Sequence, residues 1–433
     1  LDYDIQERKR GITIFSKEIS FMYRESQMTF LDTPGHNDFS CEMERTLQVL
    51  DYAILVISAK DGIQAHTKTI WKLLQTYQIP TFIFVNKMDS TYSTKEQLLQ
   101  NIQKELNENC FAIDENFYEN ISLLNDELLE KYLNQQMKQE DIQKVISLRQ
   151  MFPVFFGSAL TNFGVETFLQ HFLDMTTSPL PRNSSVGLID PFKEDFSAFV
   201  FKIQANMNKA HRDRIAFMRI CSGKFTAGME ANHVQGGKKI RLSQPQQMMA
   251  QERHIVEEAY AGDIIGVFDP GIFSIGDTIC TSNKKFQFDG IPTFAPEHFA
   301  RVRQIDTMKR KQFIKGISQI AQEGAIQIFQ EYNTGMEEII VGVVGVLQFE
   351  VLEYRLKNEY NVDIKLEPLP YEHIRWIENP EEVDVNRIVG TSDMKKIKDL
   401  KGNPLLVFAN SWSVNMVLER NEGLKLSEFG KNN

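Results

Sequence analysis

Apolar runs of strand length alternate with helix-like spacing over the first part of the chain. Helical spacing occurs in Phe39–Leu50, and three runs have the composition of buried strands: Ala53–Ile57, Thr81–Val85 and Met151–Phe156. The alternation predicts a parallel sheet covered by helices, which binds ligands at the carboxyl ends of its strands. Two further strands, Glu18–Tyr23 and Met28–Leu31, are predicted to form a hairpin.

The hydrophobic period changes twice towards the carboxyl terminus. Residues 179–195 are rich in proline and serine and are predicted to be a linker. Residues 196–285 contain short strands separated by turns, which predicts an antiparallel β-barrel. Residues 286–433 follow the order strand, helix, strand, strand, helix, strand, so we expect an α+β domain with a ferredoxin-like fold. The α/β part at residues 1–178 and these two regions together predict a chain of three domains.

Composition narrows the class of protein. The four cysteines lack paired spacing, which argues against a zinc site or a disulfide framework and suits a reducing compartment. No apolar run reaches the ~20 residues that span a bilayer, so no membrane association is expected. The formal net charge is −10, yet residues 202–241 carry nine Lys or Arg against two acidic residues, and residues 301–315 carry six against one. Both basic stretches predict docking on phosphate groups.

The sequence Leu31-Asp32-Thr33-Pro34-Gly35-His36 ends the second strand of the predicted hairpin. At a strand end, an Asp can hold Mg²⁺ through a water, and the N–H of a Gly can approach a phosphate because no side chain intervenes. Asp, Pro and Gly are also ordinary turn residues, and a histidine beside a turn is usually a cap or solvated. The motif alone therefore leaves a simple turn equally open.

The sequence Asn86-Lys87-Met88-Asp89 follows the apolar run Thr81–Val85. A fixed carboxylate at Asp89 can accept from both N1–H and the amino group of guanine, a pair of donors that adenine lacks. Asn86 can tie loops together, and the stem of Lys87 can cover the base. A solvated polar turn is the alternative. The position about fifty residues after the Asp32 turn favours a nucleotide site.

Two further segments extend the pattern. The backbone of Ser158–Leu160, after the third apolar run, could contact the O6 atom of guanine. In Arg10-Gly11-Ile12-Thr13-Ile14, the Thr13 hydroxyl can ligate Mg²⁺ when a nucleotide orders the segment. Each segment is uninformative alone, because Thr13 also suits the start of a strand.

In this order, the four motifs resemble the translational GTPases, the family of elongation factors Tu and G. Within that family, three longer segments resemble the bacterial peptide chain release factor 3 group: Pro153–Val165, Phe199–Met207 and His211–Arg219. Val341–Phe349 continues the similarity into the last predicted domain. The resemblance implies a P-loop-type α/β GTP-binding domain over residues 1–178, followed by the β-barrel and the ferredoxin-like α+β domain.

The resemblance also implies a mechanism. The chain would be a ribosome-dependent GTPase of translation termination that converts GTP to GDP with Mg²⁺ and promotes dissociation of class I release factors after peptide release. His36 would be the catalytic residue that orients the attacking water, while Thr13 and Asp32 would serve the metal. Twelve residues in three segments would contact the nucleotide: Asp32, Thr33, Pro34, Gly35, His36, Asn86, Lys87, Met88, Asp89, Ser158, Ala159 and Leu160.

The family further implies a monomeric, cytoplasmic protein whose partners are the ribosome and class I release factors. Basic residues around Lys209, Arg212 and Arg214 would suit contact with ribosomal RNA through its phosphates. An ordinary solvated rim of the barrel is an equally weighted interpretation of these residues.

The sequence departs from the family pattern at the phosphate loop. No Gly-x-x-x-x-Gly-Lys-Ser/Thr motif occurs in the 433 residues, although the N–H groups and lysine of that loop supply most of the β- and γ-phosphate binding. We therefore expect a GTP-binding domain truncated at its amino terminus, without its first strand and phosphate loop, and a chain that is inactive as written. Ser90, where relatives often carry Arg, is expected to loosen the guanine pocket slightly.

Two alternatives remain open. One is another ribosomal GTPase similar to elongation factor G. Such proteins carry further domains after the ferredoxin-like one, and this sequence stops at Asn433, which disfavours them. The other alternative is a ribosome-binding module without GTPase activity.

Overall fold

The computed structural model describes residues 5–177, 179–205, 214–243, 245–249, 252–282, 285–291, 294–332 and 338–428. The chain divides into two compact units, Leu1–Thr46 with Pro181–Asn433, and Leu47–Leu180. Within the described ranges, no helix is long and apolar enough to cross a membrane.

The amino-terminal part of the first unit contains a helix, a hairpin and a second helix: α1 (Ile5–Arg10), β1 (Lys17–Tyr23), β2 (Ser26–Asp32) and α2 (Ser40–Leu47), whose last residue begins the second unit. The hairpin is confirmed, with Lys17 opposite Asp32 and Tyr23 opposite Ser26. Helix α2 is shorter than the predicted Phe39–Leu50, because a 3₁₀ turn occupies Asn37–Phe39 before it and a turn at residues 48–49 follows it.

The second unit is a four-stranded parallel sheet covered by helices, as predicted. Its strands are β3 (Ala53–Ser58), β4 (Thr81–Asn86), β5 (Cys110–Ala112) and β6 (Phe152–Phe156), in the order β3-β4-β6-β5. Its helices are α3 (Ala65–Thr76), α4 (Lys95–Glu105), α5 (Phe117–Ser122), α6 (Asp126–Leu133), α7 (Gln139–Ser147) and α8 (Val165–Met175). Strand β4 is apolar along its length because both of its faces are covered, and Phe82, Ile83 and Val85 are completely buried.

The first unit continues with short antiparallel strands. A hairpin, β7 (Arg182–Ser184) with β8 (Gly187–Ile189), lies inside the segment predicted to be a linker. The following strands are β9 (Ser197–Ala205), β10 (Arg214–Ser222), β11 (Lys224–Thr226), β12 (Glu230–His233), β13 (Lys238–Arg241), β14 (Gln246–Met249), β15 (Glu252–Ile255), β16 (Glu258–Tyr260), β17 (Ile264–Phe268) and β18 (Thr278–Cys280).

Eight of these strands form one sheet in the order β13-β12-β18-β9-β10-β17-β14-β15, and β11 pairs with β16. The sheet curls around a single apolar core. That core contains Ala231 from β12 near one end of the sheet and Val267 from β17 towards the other, with the completely buried Met218 of β10 between them in strand order. The curled antiparallel sheet agrees with the predicted barrel.

The last part of the chain has the predicted ferredoxin-like order of elements. It contains β19 (His298–Gln304), α9 (Arg310–Gln322), β20 (Gln327–Glu331), β21 (Ile339–Val343), α10 (Leu347–Tyr360), β22 (Ile364–Leu369), β23 (His373–Ile377), β24 (Met394–Asp399), β25 (Pro404–Phe408), α11 (Ser411–Arg420) and β26 (Leu426–Ser427). The sheet order is β22-β19-β21-β20-β24-β25-β23-β26, so four further strands extend the ferredoxin-like sheet. Helices α9 and α10 approach closely at Gly316, where an added Cβ would lie 2.7 Å from Leu356.

Candidate nucleotide site

The predicted site residues fall into two groups, one in each compact unit. Asn86–Asp89 and Ser158–Leu160 belong to the second unit, whereas Thr13 and Asp32–His36 belong to the first. In the second unit, the two loops follow β4 and β6, which are hydrogen-bonded neighbours in the parallel sheet. The carboxyl ends of these strands therefore bring the two loops together.

Asn86 joins the two loops of the second unit. Its Oδ1 atom accepts a hydrogen bond from the backbone N–H of Lys87 at 2.8 Å and from that of Ala159 at 2.9 Å. The N–H of Met88 donates to the carbonyl of Gly157 at 3.1 Å. Lys87 has a left-handed φ of 62°, which turns the chain sharply after β4 and leaves its side chain exposed.

The carboxylate of Asp89 is exposed in this arrangement. The Ser90 hydroxyl donates to its Oδ2 at 2.8 Å, so the departure at position 90 adds a donor to the carboxylate. Hydrogen bonds from the Ser158 and Ser90 hydroxyls lower the pKa of Asp89. Asp89 is therefore ionised at neutral pH and presents the acceptors that paired N–H donors of a guanine require.

The loop Ser158–Leu160 is held by backbone packing. Ser158 is buried, and its N–H donates to the carbonyl of Phe163 at 2.9 Å. Gly157 has no room for a side chain, because a Cβ would lie 2.4 Å from that same carbonyl oxygen. The N–H of Ala159 is used by Asn86, while the N–H of Leu160 has no hydrogen-bond partner among the residues the structure describes. Leu160 therefore offers the backbone donor of this loop.

In the first unit, Asp32 ends β2 and the turn Thr33-Pro34-Gly35 leads to an exposed His36. The Nδ1 atom of His36 accepts from the N–H of Asp38 at 3.2 Å, and the ring lies 6.2 Å from that of Phe39. With Nδ1 accepting, the neutral imidazole carries its proton on Nε2. The exposed ring can therefore contact a water molecule through this second nitrogen.

Thr13 is half-buried in a loop between α1 and β1, residues 11–16, which we call the Thr13 loop. Glu7 of α1 holds this loop: its carboxylate is completely buried, and Oε1 accepts from the N–H groups of Ile14 at 3.0 Å and Phe15 at 3.1 Å. Oε2 pairs with the ammonium of Lys17. The sequence carries no signal for Glu7, because two of its partners are the backbone N–H groups of Ile14 and Phe15. From sequence, the segment around Thr13 also suited the start of a strand.

Glu42 of α2 holds the other end of the Thr13 loop. Its Oε1 accepts from the N–H of Ser16 at 3.1 Å, and its Oε2 accepts from Arg45 at 3.0 Å. Lys202 of β9 lies 3.7 Å from Glu42 and donates to the carbonyl of Ser16. Burial raises the pKa of Glu42, but Arg45, Lys202 and the Ser16 donors outweigh burial, so the pKa lies below its ordinary value.

The His36 segment docks on α10. The Oδ2 atom of Asp38 accepts from the N–H of Leu347 at 2.8 Å, and the two backbones approach so closely that a Cβ on Gly345 would lie 2.2 Å from the Asp38 side chain. Further along, Arg10 of α1 pairs with Glu350 at 2.6 Å. Local sequence carries no signal for these contacts, because 309 residues separate Asp38 from Leu347.

Arg45 makes a second connection to the carboxyl-terminal region. Its guanidinium donates to the carbonyl of Glu323 at 2.8 Å and to that of Gly324 at 3.1 Å. A side chain at position 324 would have to displace the Arg45 guanidinium, because an added Cβ would lie 1.8 Å from Arg45 Nη1. An apolar cluster accompanies these bonds and is formed by Ile14, Phe39 and Val351. Both motif segments of the first unit are therefore bound to the ferredoxin-like part.

The structure resolves the two basic stretches differently. Lys209 and Arg212 lie outside the described residues, and Arg214 pairs with buried Asp269 at 2.5 Å. In the stretch 301–315, Arg301 and Arg303 lie 3.2 and 2.6 Å from Glu338, which neutralises part of the local charge.

The remaining part of that stretch lies on α9. Lys311 and Lys315 are exposed beside Met308, which is 89% exposed, along an open groove. The free charge of the second basic stretch is therefore concentrated on one face of α9.

Oxygen donors are the ligands that Mg²⁺ prefers. The hydroxyl of Thr13 and the carboxylate of Asp32 fit a Mg²⁺ ion that takes its other oxygens from nucleotide phosphates and water. Across the part of the chain that the structure describes, no group of three or more His, Cys, Asp or Glu could hold a metal by itself. The donor chemistry thus suits a metal that arrives with its nucleotide.

Three protein families match successive parts of the chain. Residues 1–178 match the elongation factor Tu GTP binding domain, and residues 195–282 match elongation factor G domain 2. Residues 288–418 match the C-terminal domain of the class II release factor RF3. The three matches follow one another in the order of the α/β, curled-sheet and ferredoxin-like parts.

Individual relatives match nearly the whole chain. Peptide chain release factor 3 of Symbiobacterium thermophilum is 43% identical over 96% of this chain and 87% of its own length. The proteins of the same name from Gloeothece citriformis and Microcystis aeruginosa are 40% and 39% identical over 99% of this chain, and over 87% and 86% of their own lengths.

A crystal structure of a protein from Thermus thermophilus is also similar, with a TM-score of 0.72. The match covers 92% of this chain and 66% of that protein, at 18% identity. At this identity the similarity concerns the fold alone.

Proposed function

The chain belongs to the peptide chain release factor 3 family, and from this membership we propose that it is a ribosome-dependent GTPase of translation termination. In this role it promotes the dissociation of class I release factors after peptide release. One observation carries the proposal: the release-factor C-terminal domain at residues 288–418 follows a GTP-binding domain and an elongation factor G domain 2 in one chain.

We propose that the second unit recognises guanine. Asp89 accepts from the N1–H and amino groups of the base, which its lowered pKa favours by keeping the carboxylate charged. The N–H of Leu160, which has no hydrogen-bond partner among the described residues, would donate to the O6 atom. Asn86 keeps the two loops in register through its bonds to Lys87 and Ala159. The exposed stem of Lys87 covers the base plane.

For the first unit we propose contacts with Mg²⁺ and phosphate groups. Thr13 and Asp32 would hold Mg²⁺, which when bound would neutralise phosphate charge. The N–H of Gly35 faces the terminal phosphate, since the residue has no side chain to intervene. His36 orients the attacking water through Nε2 while Nδ1 remains bonded to the N–H of Asp38.

The ribosome and class I release factors are the proposed partners, and the cytoplasm, where translation occurs, is the proposed location. The bonds of Asp38 to Leu347 and of Arg45 to Glu323 and Gly324 support transmission of the nucleotide state to the carboxyl-terminal region. The exposed face of α9 with Lys311 and Lys315 is proposed to contact ribosomal RNA through its phosphates.

Ribosome-stimulated GTP hydrolysis tests the proposal, with the protein expressed from its own gene. We expect ribosomes to accelerate hydrolysis, and His36→Ala to abolish most of that acceleration while nucleotide binding persists. A variant as active as the unmodified protein would remove the role assigned to His36.

One observation favours a second function, ribosome binding without hydrolysis. The 433 residues contain no Gly-x-x-x-x-Gly-Lys-Ser/Thr motif. We therefore propose that residues 1–433 produced by themselves bind GTP weakly and hydrolyse it slowly, because the donors that hold the β- and γ-phosphates are missing. Rapid ribosome-stimulated hydrolysis by this 433-residue chain would overturn that proposal.

A further inference from the structure

Glu7 is a buried acidic residue to which the nucleotide mechanism above gives no role. We propose that Glu7 is a positioning residue that fixes the Thr13 loop in the conformation needed for Mg²⁺ and GTP. The inference rests on the proposed role of Thr13. It is carried by the contacts of Glu7 to the backbone on the carboxyl side of Thr13.

The carboxylate of Glu7 is placed to restrain the loop. It is completely buried, and one oxygen accepts from the N–H groups of Ile14 and Phe15 at 3.0 and 3.1 Å. The other oxygen pairs with Lys17, the first residue of β1. One side chain therefore joins α1, the two residues after Thr13 and the start of the hairpin.

The chemistry of these contacts requires a carboxylate of this length. A buried charge is stable only when it is paired and hydrogen-bonded, and all three partners of Glu7 are donors. Glutamine has the same shape, but when its oxygen keeps the two backbone bonds its NH₂ group faces the ammonium of Lys17, so the contact with Lys17 is lost. Aspartate keeps the charge but is one methylene shorter, which draws the acceptor away from the loop.

The second anchor of the loop does not replace Glu7. Glu42 and Lys202 bind Ser16, at the far end of the Thr13 loop. Without Glu7, the backbone around Thr13 keeps its apolar contacts at Ile14 but loses the polar restraint next to the hydroxyl. The backbone on the carboxyl side of Thr13 would then be less restrained, and ordering it on GTP binding would cost affinity.

The test measures the Thr13 loop directly in the full 433-residue chain. Thr13→Cys is combined with Glu7→Gln, Glu7→Asp or the control Glu25→Gln, which removes an exposed carboxylate from the β1–β2 turn. The rate of maleimide labelling reports the accessibility of position 13. Background labelling is low, because the four native cysteines are buried and burial raises the pKa of the Cys41 and Cys110 thiols to about 12.

Hydrogen exchange at Ile14 and Phe15 gives a second readout in the chain with native Thr13. We expect Glu7→Asp to accelerate labelling at position 13 and exchange at residues 14–15 by about tenfold or more. Glu7→Gln, whose amide oxygen can keep both backbone bonds, should accelerate them less. Glu25→Gln should change neither rate, and exchange in β4 of the second unit should be the same in all variants. Such a local change identifies a positioning role, because a purely structural role alters exchange throughout the first unit.

Two results would overturn the inference. In the first, labelling and exchange in Glu7→Asp equal those of Glu25→Gln. In the second, Glu7→Gln and Glu7→Asp both unfold the first unit, which would make Glu7 a residue of global stability. Neither readout uses nucleotide or ribosomes, so a failure of the proposed GTPase function leaves these outcomes unchanged and is detected separately by hydrolysis.

Discussion

Asp38 and Leu347 are joined by a hydrogen bond across 309 residues of sequence: Oδ2 of Asp38 accepts from the N–H of Leu347 at 2.8 Å. Asp38 lies two residues after His36, and Leu347 is the first residue of α10. A carboxylate at this position satisfies an otherwise unpaired N–H and lies at the positive end of the helix dipole. The segment that contains His36 is therefore hydrogen-bonded to the ferredoxin-like part at the amino terminus of α10.

Asp38→Ala should remove the hydrogen bond that joins the His36 segment to the ferredoxin-like part. We expect a loss of about 1 kcal/mol in the free energy of unfolding, the usual effect of removing a helix cap, together with a several-fold loss of ribosome-stimulated hydrolysis. Asn410→Ala is the matched control, because Asn410 caps α11 by accepting from Ser413 at 2.9 Å. Equal hydrolysis by both variants would show that the Asp38 bond has only a structural role.

Gly324→Ala should disrupt the contact of Arg45 with the carboxyl-terminal region. The residue has a φ of +78°, and an added Cβ would lie 1.8 Å from Arg45 Nη1. Gly402→Ala is the control, since Gly402 has a similar φ of +88° with no atom within 4 Å of the added Cβ. We expect the control to cost about 1 kcal/mol through backbone strain alone, and Gly324→Ala to cost clearly more in urea denaturation. Equal costs would mean that Arg45 moves aside freely.

Stability should fall with rising pH because of Glu18. Burial raises the pKa of Glu18 from 4.5 to about 7, although Lys202 opposes the shift, and its Oε1 is buried with no hydrogen-bond partner among the described residues. The folded state therefore holds this proton while the unfolded state has released it, so stability decreases between about pH 5 and pH 8. The decrease is at most ~3 kcal/mol, at ~1.4 kcal/mol for each unit of pKa shift.

Urea denaturation at several pH values checks this expectation. Glu18→Gln should flatten the stability profile between pH 5 and pH 8, while Glu25→Gln, an exposed glutamate in the adjacent turn, should leave it unchanged. An unaltered slope in Glu18→Gln would exclude Glu18 as the source of the pH dependence.

Asp89→Asn should change base preference from guanine to xanthine. An Asn side chain can donate to the O2 atom of xanthine, whereas the carboxylate of Asp89 accepts from the amino group of guanine. Saturation-transfer difference NMR, which detects weak binding, measures the competition between GDP and xanthosine diphosphate. Ser90→Ala, which removes the 2.8 Å bond to Asp89, should weaken GDP binding without changing the preference. A guanine preference that persists in Asp89→Asn would show that Asp89 does not determine which base is bound.

Lys311→Glu combined with Lys315→Glu should weaken ribosome binding and reduce its dependence on salt. Each lost phosphate contact lowers the slope of log affinity against log salt by about 1. Lys357→Glu on α10, whose exposed side chain pairs with Asp363 at 3.0 Å, is the control. Weaker binding with an unchanged salt slope would indicate a protein contact in place of RNA.

Much of the fold could be predicted because its signals are local. The pattern of apolar positions predicted the order of α9, α10 and the strands around them. Strand β13, Lys238–Arg241, gave no such signal because it is an edge strand of mostly exposed charged residues. The loops Asn86–Asp89 and Ser158–Leu160 were predictable as neighbours because both follow adjacent parallel strands.

The supporting residues of the site were not predictable in this way. Glu7 binds backbone N–H groups, which nearly every residue carries and which therefore leave no signal in the sequence. Asp38 and Arg45 bind partners 278 or more residues away. Such contacts depend on how the chain folds back on itself, and a single sequence contains no periodic pattern for them. The missed residues are therefore those that position the predicted ones.

The most direct test of the central claim is the dissociation of a fluorescently labelled class I release factor from ribosomes after peptide release. With GTP, the protein expressed from its own gene should accelerate dissociation many-fold over the spontaneous rate. Dissociation at the spontaneous rate, under conditions where the protein binds both GTP and ribosomes, would contradict the account.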